Sequence, residues 1–592
     1  MIKERIFKLV DFKFDKEINL IDYDGVYVKY DGKTATIGSN SKTTLARGYF
    51  LFAKEIKKGN TNFEIKQKPH FDSCGPMLDI SAGCVMKVEA IKKYIDHMAA
   101  LGLNMLMLYT EINYELKDYP LFGYLRGRYS WDELKEIDKY ALEMGVEVVP
   151  CIQTLGHLQR FLKWDATADI KDNSSVLLIG EEKTYKFIEA EIDAMRNCFT
   201  SDRIHIGMDE AFGFGFGQYF IKNGYRDRFD LFNEHLNRVC DIAKKYNFKP
   251  MIWCDMYYST VDPKDYVRMD AVIPEKAFST VPEDLSLVFW DYYETKYEYY
   301  NKKLSDLVPF NREIVFGGGV WSWDGFVPNV RFTFDTMKPA LDACIDRDIK
   351  FIIATMWGAS GVEANYNLCF GGLALFSEYC YLGKDCTDDD VFDVAEALTG
   401  DTKEFTDALS DLALGYDGAV KAGNGAFYGD VLLPTVYYDF DYVVMKDTYK
   451  RSIDTLSKYT HHKYYEFYST FFEICYKKAD IYLNLRDSYK SGNIDYLKHV
   501  SEDVIPELIK LYRKFCEIFK NISFESYKRN GFEIFHVRIG GILMRLEYAA
   551  EILHDYVSGR TDIIDELENE PISGINKTWC SAEHYMATSF LG

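Results

Sequence analysis

No run in this sequence is long and apolar enough to span a bilayer, and the opening MIKERIFKLVDFKFDKEINL is charged throughout, without the continuous apolar core of a secretory signal. The expectation is a cytoplasmic protein that makes no use of a membrane. Excess positive charge is also missing: 70 Lys and Arg against 92 Asp and Glu leave a formal net charge of -22. Phosphate binding needs clustered cations, so nucleic acid is excluded as a natural partner. Paired cysteine spacing is lacking too. The 13 Cys are odd in number and scattered, which reads as reduced core thiols, with no disulfide and no metal site. No GxGxxG loop follows an early strand, and there is no internal repeat or low-complexity tract.

What is present in quantity is aromatic. Phe, Trp and Tyr make up 16% of the 592 residues, within 47% hydrophobic and 27% charged. That is a globular balance in a chain too long for one core, so several domains are expected. The aromatic excess fits dense core packing or a cleft whose rings stack on sugar faces, and composition alone favours the first.

From about residue 69 short apolar runs alternate with amphipathic helical stretches. The runs are GPMLDISAG (75–83), NMLMLYTE (104–111), EVVPCIQT (147–154), RIHIGMDE (203–210), KPMIWCDMY (249–257), LSLVFWDYY (285–293), REIVFGGGVWSW (312–323) and KFIIATMWG (350–358). Eight strands of this kind, most followed by a helix, are the number that closes a (β/α)8 TIM barrel. The flanks differ. Residues 1–68 hold a hairpin around the DG of VYVKYDGKTATIG, a helix and a further strand, a small N-terminal α/β domain. Residues 69–387 form the barrel, and 388–592 a C-terminal α-helical domain. The adjacent His461 and His462 in that last domain read as surface, because neighbouring helical positions do not face one way.

A barrel places its active site at the C-terminal ends of its strands. Those ends carry Asp79, Glu111, His157, Asp209, Glu210, Trp253, Asp255, Trp290, Asp291, Tyr292, Trp321, Trp323 and Trp357, so five of the chain's 8 Trp gather there. Acids and aromatic rings without a metal triad or phosphate loop are what glycoside hydrolysis requires: a proton donor and a group that handles positive charge at the anomeric carbon. Asp209 and Glu210 are neighbours, and strand alternation would turn their side chains apart. The pair fits better if one acid donates the proton while the other steers a substrate group that acts as nucleophile.

The stretch HIGMDE resembles the HxGxDE signature of glycoside hydrolase family 20, the β-N-acetylhexosaminidases. MLDIS, YTE, QTLGH, WCD, WDYY, GGVWSW with DGF, and MWG, each in its expected strand, extend the resemblance over nearly the whole chain. It is similar to the intracellular branch, with a small α/β domain before the barrel and a helical domain after it. The resemblance implies a retaining, exo-acting enzyme for terminal β-linked N-acetylhexosamine, without cofactor, working through an oxazolinium intermediate. Glu210 would be the general acid/base and Asp209 would hold the acetamido N–H. Tyr292, with Tyr293 as fallback, would bond the acetamido oxygen. Trp290 and Trp357 would line the pocket, with Trp253, Trp321, Trp323 and Asp79 as further substrate contacts. His157 and Glu111 match positions of a relay toward the acid, and His205 is a support or a satisfied core residue. The related branch also implies a homodimer through the helical domain.

Two positions depart from the family pattern. Ala82 stands where an Arg would grip the 3- and 4-hydroxyls, and Ala359 where an Asp would hold hydroxyls across the ring, with Glu363 placed to recover part of that contact. Charge-assisted hydrogen bonds are worth about 1.5–3 kcal/mol, so these losses suggest a pocket opened for a substituted N-acetylhexosamine, sulfated or extended by another sugar. Two other readings stay open: a non-catalytic carbohydrate-binding relative, against which the intact acid pair argues, and a metal-dependent barrel hydrolase, for which only His157 and His205 qualify as ligands.

Overall fold

The computed structural model describes the chain except for residues 82, 84, 262–271, 279, 324, 359–362, 364, 411–424, 434–440 and 570–592. Residues 1–320, 333–357 and 372–399 form one compact unit, and 321–332, 358–371 and 400–592 form another.

The first unit begins with a four-stranded sheet. Strands β1 (Ile18–Asp22), β2 (Val26–Tyr30), β3 (Ala35–Ser39) and β4 (Phe63–Gln67) lie in the order β1-β3-β2-β4. β2 and β3 are the expected hairpin: the Asp31 carboxylate accepts the N–H groups of Lys33 and Thr34 at 2.9 and 2.7 Å and closes the turn. The helix Lys42–Lys57 opens with a reciprocal Ser41–Thr44 cap and packs Gly48 against Ile37, Val26 and Val28. Its Arg47 is fully buried and pairs with Glu378 at 2.9 Å while donating to the Leu101 carbonyl at 3.0 Å, which fastens this helix to the barrel.

Eight parallel strands close that barrel: β5 (Ser73–Asp79), β6 (Met105–Tyr109), β7 (Glu147–Cys151), β8 (Arg203–His205), β9 (Lys249–Trp253), β10 (Ser286–Trp290), β11 (Glu313–Gly319) and β12 (Phe351–Met356). β12 pairs with β5 along six residues and completes the ring. Helices Val88–Leu101, Trp131–Met144, Glu182–Cys198, Arg228–Lys245, Tyr297–Asp306 and Val330–Asp346 alternate with the strands. The strands are almost wholly buried, as parallel strands covered on both faces must be.

One strand differs from the sequence expectation. β8 stops at His205 instead of running to Glu210, because Gly207, Met208 and Glu210 take positive φ values of 69°, 73° and 44° that no strand can hold. The acids therefore sit on a turn beyond the strand, and alternation is not what separates them.

The second unit is helical, built on Tyr442–Leu456, Tyr465–Ser491, Ile505–Ser526 and Phe532–Val557. Its core centres on Phe326, whose ring meets Phe427, Phe471, Phe515 and Phe519 at 5.0–5.6 Å. The expectation of a surface His462 is corrected: its side chain is 6% exposed, with the ring 4.0 Å from Phe405 and Nε2 3.2 Å from Asp401. The pair does diverge, since His461 is exposed. Among the described residues no helix is long and apolar enough to cross a membrane, and the cysteines are free thiols.

Candidate active site

The acid pair is held by a strained turn. His205, the last residue of β8, is fully buried against Trp253 at 4.3 Å between ring centroids, and burial lowers its pKa to about 3. The ring is neutral, so its Nδ1 can accept the Gly207 N–H at 3.0 Å. The Gly207 carbonyl accepts the Trp253 N–H at 3.2 Å, and the Glu210 N–H donates to Asp255 Oδ2 at 2.9 Å. Left-handed backbone at Met208 and Glu210 costs about 1–2 kcal/mol per residue, and these bonds hold it in place. His157, across the site on the loop after β7, is a third such residue at φ 55°.

The carboxylates end up in different surroundings. Asp209 is buried; its Oδ1 accepts the Gln153 amide at 2.9 Å, and its Oδ2 lies 3.2 Å from His157 Nε2. Burial alone would raise the Asp209 carboxyl, but the His157 charge and the Gln153 amide hold it below the ordinary aspartate range. Glu210 keeps about a third of its side chain exposed, 34%, with Oε2 3.5 Å from His157 Nε2. Burial, with the Asp209 charge added, pushes its carboxyl up against the pull of His157. His157 Nε2 lies within 3.5 Å of both carboxylates and pairs with each ionically. Burial would lower that imidazole, yet Asp209, Glu111 and Glu210 together raise its pKa to about 10, so it is a cation at neutral pH.

A second layer surrounds these groups. Glu111 is buried, its carboxyl raised by burial, and it is ion-paired with Arg160. Asp255 is also buried and raised well above its ordinary value, first by burial and then by the Asp209 charge. Asp79, at the end of β5, is buried and accepts the Ser81 N–H at 2.8 Å. On the opposite side Trp290 stacks on Tyr292 at 5.2 Å, and the Tyr292 hydroxyl meets the Trp357 indole. Trp357 in turn lies 4.8 Å from Tyr109 and 6.3 Å from Trp253. Asp291 fixes the turn that carries Tyr292, since its Oδ1 accepts the N–H groups of Tyr293 and Glu294 and the Tyr300 hydroxyl.

The first unit thus brings together Asp79, Glu111, His157, His205, Asp209, Glu210, Trp253, Trp290, Tyr292 and Trp357. Trp253 is buried in the barrel core, 1% exposed. Trp321, Trp323 and Glu363 belong to the second unit. There the two indoles pack at 4.6 Å, and Glu363 is buried, bonded by the Tyr428 hydroxyl at 2.5 Å and ion-paired with Arg538. Ala82 and Ala359 lie outside the described residues. Sequence reasoning missed Gln153 and Arg160, and it placed Asp255 at a strand end without a role. Gln153 and Asp255 stand inside the motifs QTLGH and WCD, but nothing in their spacing says which carboxylate or N–H each meets.

A locked, ionised carboxylate beside a carboxyl of raised pKa, at the C-terminal mouth of a (β/α)8 barrel, is the apparatus of a glycoside hydrolase. Residues 71–308 match the catalytic domain of glycosyl hydrolase family 20, and residues 424–581 match the Glycoside Hydrolase 20C C-terminal domain. The chain belongs to glycoside hydrolase family 20. Human hexosaminidase D is 28% identical over 221 residues, which are 36% of this chain but only 43% of the human protein. The beta-hexosaminidase subunit beta of Entamoeba histolytica is 24% identical over 391 residues, 54% of this chain and 68% of that one. In fold, the X-ray structure of Flavobacterium johnsoniae chitobiase aligns with a TM-score of 0.51 at 17% identity, covering 96% of this chain and 89% of that one.

Proposed function

We propose that the protein is a retaining, exo-acting β-N-acetylhexosaminidase that works by substrate-assisted catalysis. The observation that carries this reading is the split within the acid pair, Asp209 held ionised by Gln153 and His157 while the neighbouring Glu210 carboxyl is raised. Glu210 gives its proton to the glycosidic oxygen as the acetamido oxygen of the substrate attacks the anomeric carbon. Asp209 accepts the acetamido N–H and balances the positive oxazolinium, and the Tyr292 hydroxyl donates to the acetamido oxygen. Glu210 then takes a proton from the water that opens the ring, restoring the original configuration. Trp290 and Trp357 face the acetamido methyl and the sugar. With the nucleophile supplied by the substrate, the two protein acids can be adjacent.

General acid catalysis contributes roughly 10²–10⁴-fold, so Glu210→Gln should lower kcat on an alkyl N-acetylhexosaminide by that order while KM changes little. Near wild-type turnover would sink the assignment. The replacement of the family's Arg and Asp by Ala82 and Ala359 favours a more specific substrate, an N-acetylhexosamine substituted on the hydroxyl side. A panel of terminal GlcNAc, terminal GalNAc, 6-sulfated GlcNAc and disaccharide aryl glycosides, read with wild type and Ala82→Arg, tests this. The variant should gain on simple glycosides and lose on substituted ones; wild type acting only on simple glycosides refutes it.

A further inference from the structure

The stretch after the acids, AFGFGFGQYFIKNGYR (211–226), has no part in the chemistry above, yet it leaves large apolar side chains in water. Phe212 is 56% exposed, Phe216 54%, Phe220 46% and Ile221 74%. Phe214 between them is buried under the Arg228 guanidinium at 4.3 Å. Gly213 and Gly215, at φ 74° and 78°, turn the chain so that Phe214 points in while Phe212 and Phe216 stay out. The loop is firmly held. Asp172 is buried and accepts the N–H groups of Gly215 and Tyr219 at 2.8 and 2.7 Å, and its carbonyl accepts that of Gln218 at 2.9 Å. Rings fixed in water by a well-bonded loop are not explained by folding.

Two neighbouring loops continue this surface. Tyr124, on the loop after β6, is 50% exposed and meets Trp164, on the loop after β7, edge-on at 6.3 Å. The Glu111–Arg160 ion pair joins those two loops, and Asn173 Nδ2 joins the second to the third by donating to the Phe212 carbonyl at 3.3 Å. The three linked loops carry the apolar wall at the barrel mouth, most of it on 212–221. It begins two residues from Glu210, whose carbonyl accepts the Phe212 N–H at 2.6 Å.

Resting on the reading of Glu210 as proton donor, we propose that this wall is the platform for the leaving group, and that it selects aglycones with an extended alkyl or aryl part over a second sugar. A donor must touch the glycosidic oxygen, so the chain that continues from Glu210 borders the departing side while Asp209 borders the acetamido side. The composition of the wall sets the class of aglycone. Sugar hydroxyls call for carboxylate, amide or guanidinium partners, and here Asp172, Asn173, Glu111 and Arg160 are engaged in holding the wall together. Phe212, Phe216, Phe220 and Ile221 present ring and aliphatic carbon to solvent, which gains by covering a hydrocarbon.

The test compares methyl and hexyl β-glycosides of the terminal N-acetylhexosamine, whose leaving alcohols differ little in basicity, with the β1,4-linked disaccharide of the same sugar. In wild type, kcat/KM for the hexyl glycoside should exceed that for the methyl glycoside by about tenfold or more, since each buried methylene is favourable, and should exceed that for the disaccharide. In Phe212→Ser the hexyl-to-methyl ratio should fall at least about threefold; if that variant is inactive, Phe216→Ser carries the same readout. Equal values for the two alkyl glycosides, a preference for the disaccharide, or an unchanged ratio in the variants overturns the platform and leaves the reaction standing. Failure of wild type to cleave any N-acetylhexosaminide overturns the reaction and the platform together.

Discussion

Gly207 lies between the end of β8 and the acid pair, at φ 69°, and replacing it with Ala tests how the turn serves Asp209. A Cβ there would stand 2.2 Å from Gln153 Oε1 and 2.7 Å from the Ile152 carbonyl oxygen. The carbonyl has little freedom, because the Ile152 N–H is tied to the His205 carbonyl at 2.9 Å. The Gln153 side chain must therefore give way, although it donates to Asp209 at 2.9 Å and to the Tyr109 hydroxyl at 3.1 Å. Left-handed backbone at a non-glycine residue costs about 1–2 kcal/mol, and overpacking a tight site about 1–3 kcal/mol. Gly207→Ala should accordingly lose about 2–5 kcal/mol of unfolding free energy, read by urea denaturation. A hydrogen bond to a charged acceptor is worth about 1.5–3 kcal/mol, so kcat/KM on an aryl N-acetylhexosaminide should drop roughly 10- to 100-fold. Gln153→Ala removes the same bond directly. The two substitutions combined should then cost less in rate than the sum of their separate effects. Wild-type stability and rate in Gly207→Ala, or full additivity with Gln153→Ala, would refute the reasoning.

The proposed mechanism requires Asp209 ionised and Glu210 protonated, and the His157 cation lowers the pKa of both. His157→Asn should move both limbs of the pH profile of kcat/KM to higher pH; limbs that stay put or move apart contradict this. His157 is raised from 6.5 to about 10 in the folded protein, so its protonated form contributes fully to stability below pH 6.5 and that contribution is lost as pH rises through 10. The difference in urea midpoint between wild type and His157→Asn should shrink progressively as pH rises from 6.5 through 10; a difference that stays constant over that range contradicts the assignment. In the second unit Glu363 and Arg538 are buried together, with side chains 8% and 5% exposed. Arg538→Met strands that carboxylate and should cost about 3–5 kcal/mol in guanidinium unfolding, most of it recovered by adding Glu363→Gln; a loss below about 1 kcal/mol counts against it.

The parts of the fold that the sequence discloses are those where one physical rule dominates. Each barrel strand is buried on both faces, so it reads as a short apolar run, and the rhythm of such runs and amphipathic helices gives the barrel. The helix Phe370–Leu382, FGGLALFSEYCYL, escaped the same scan because it is apolar on all sides and shows no period. His462 escaped because its burial depends on Phe405 and Asp401, residues more than fifty positions away in the chain. At the site, the residue types Asp and Glu were legible, and the partners that tell them apart were not. Gln153, His157 and Asp255 reach the pair only because three residues between positions 207 and 210 leave the strand region, and positive φ at Met208 and Glu210 is something no propensity announces. The turn answers why adjacent acids can do different work. A continued strand would have sent the two side chains to opposite faces of the barrel wall. The left-handed turn keeps both at the mouth, one against Gln153 and the other toward solvent, with His157 within 3.5 Å of each. The separation of their pKa values is thus a property of the backbone at Gly207–Glu210 as much as of the carboxylates it carries.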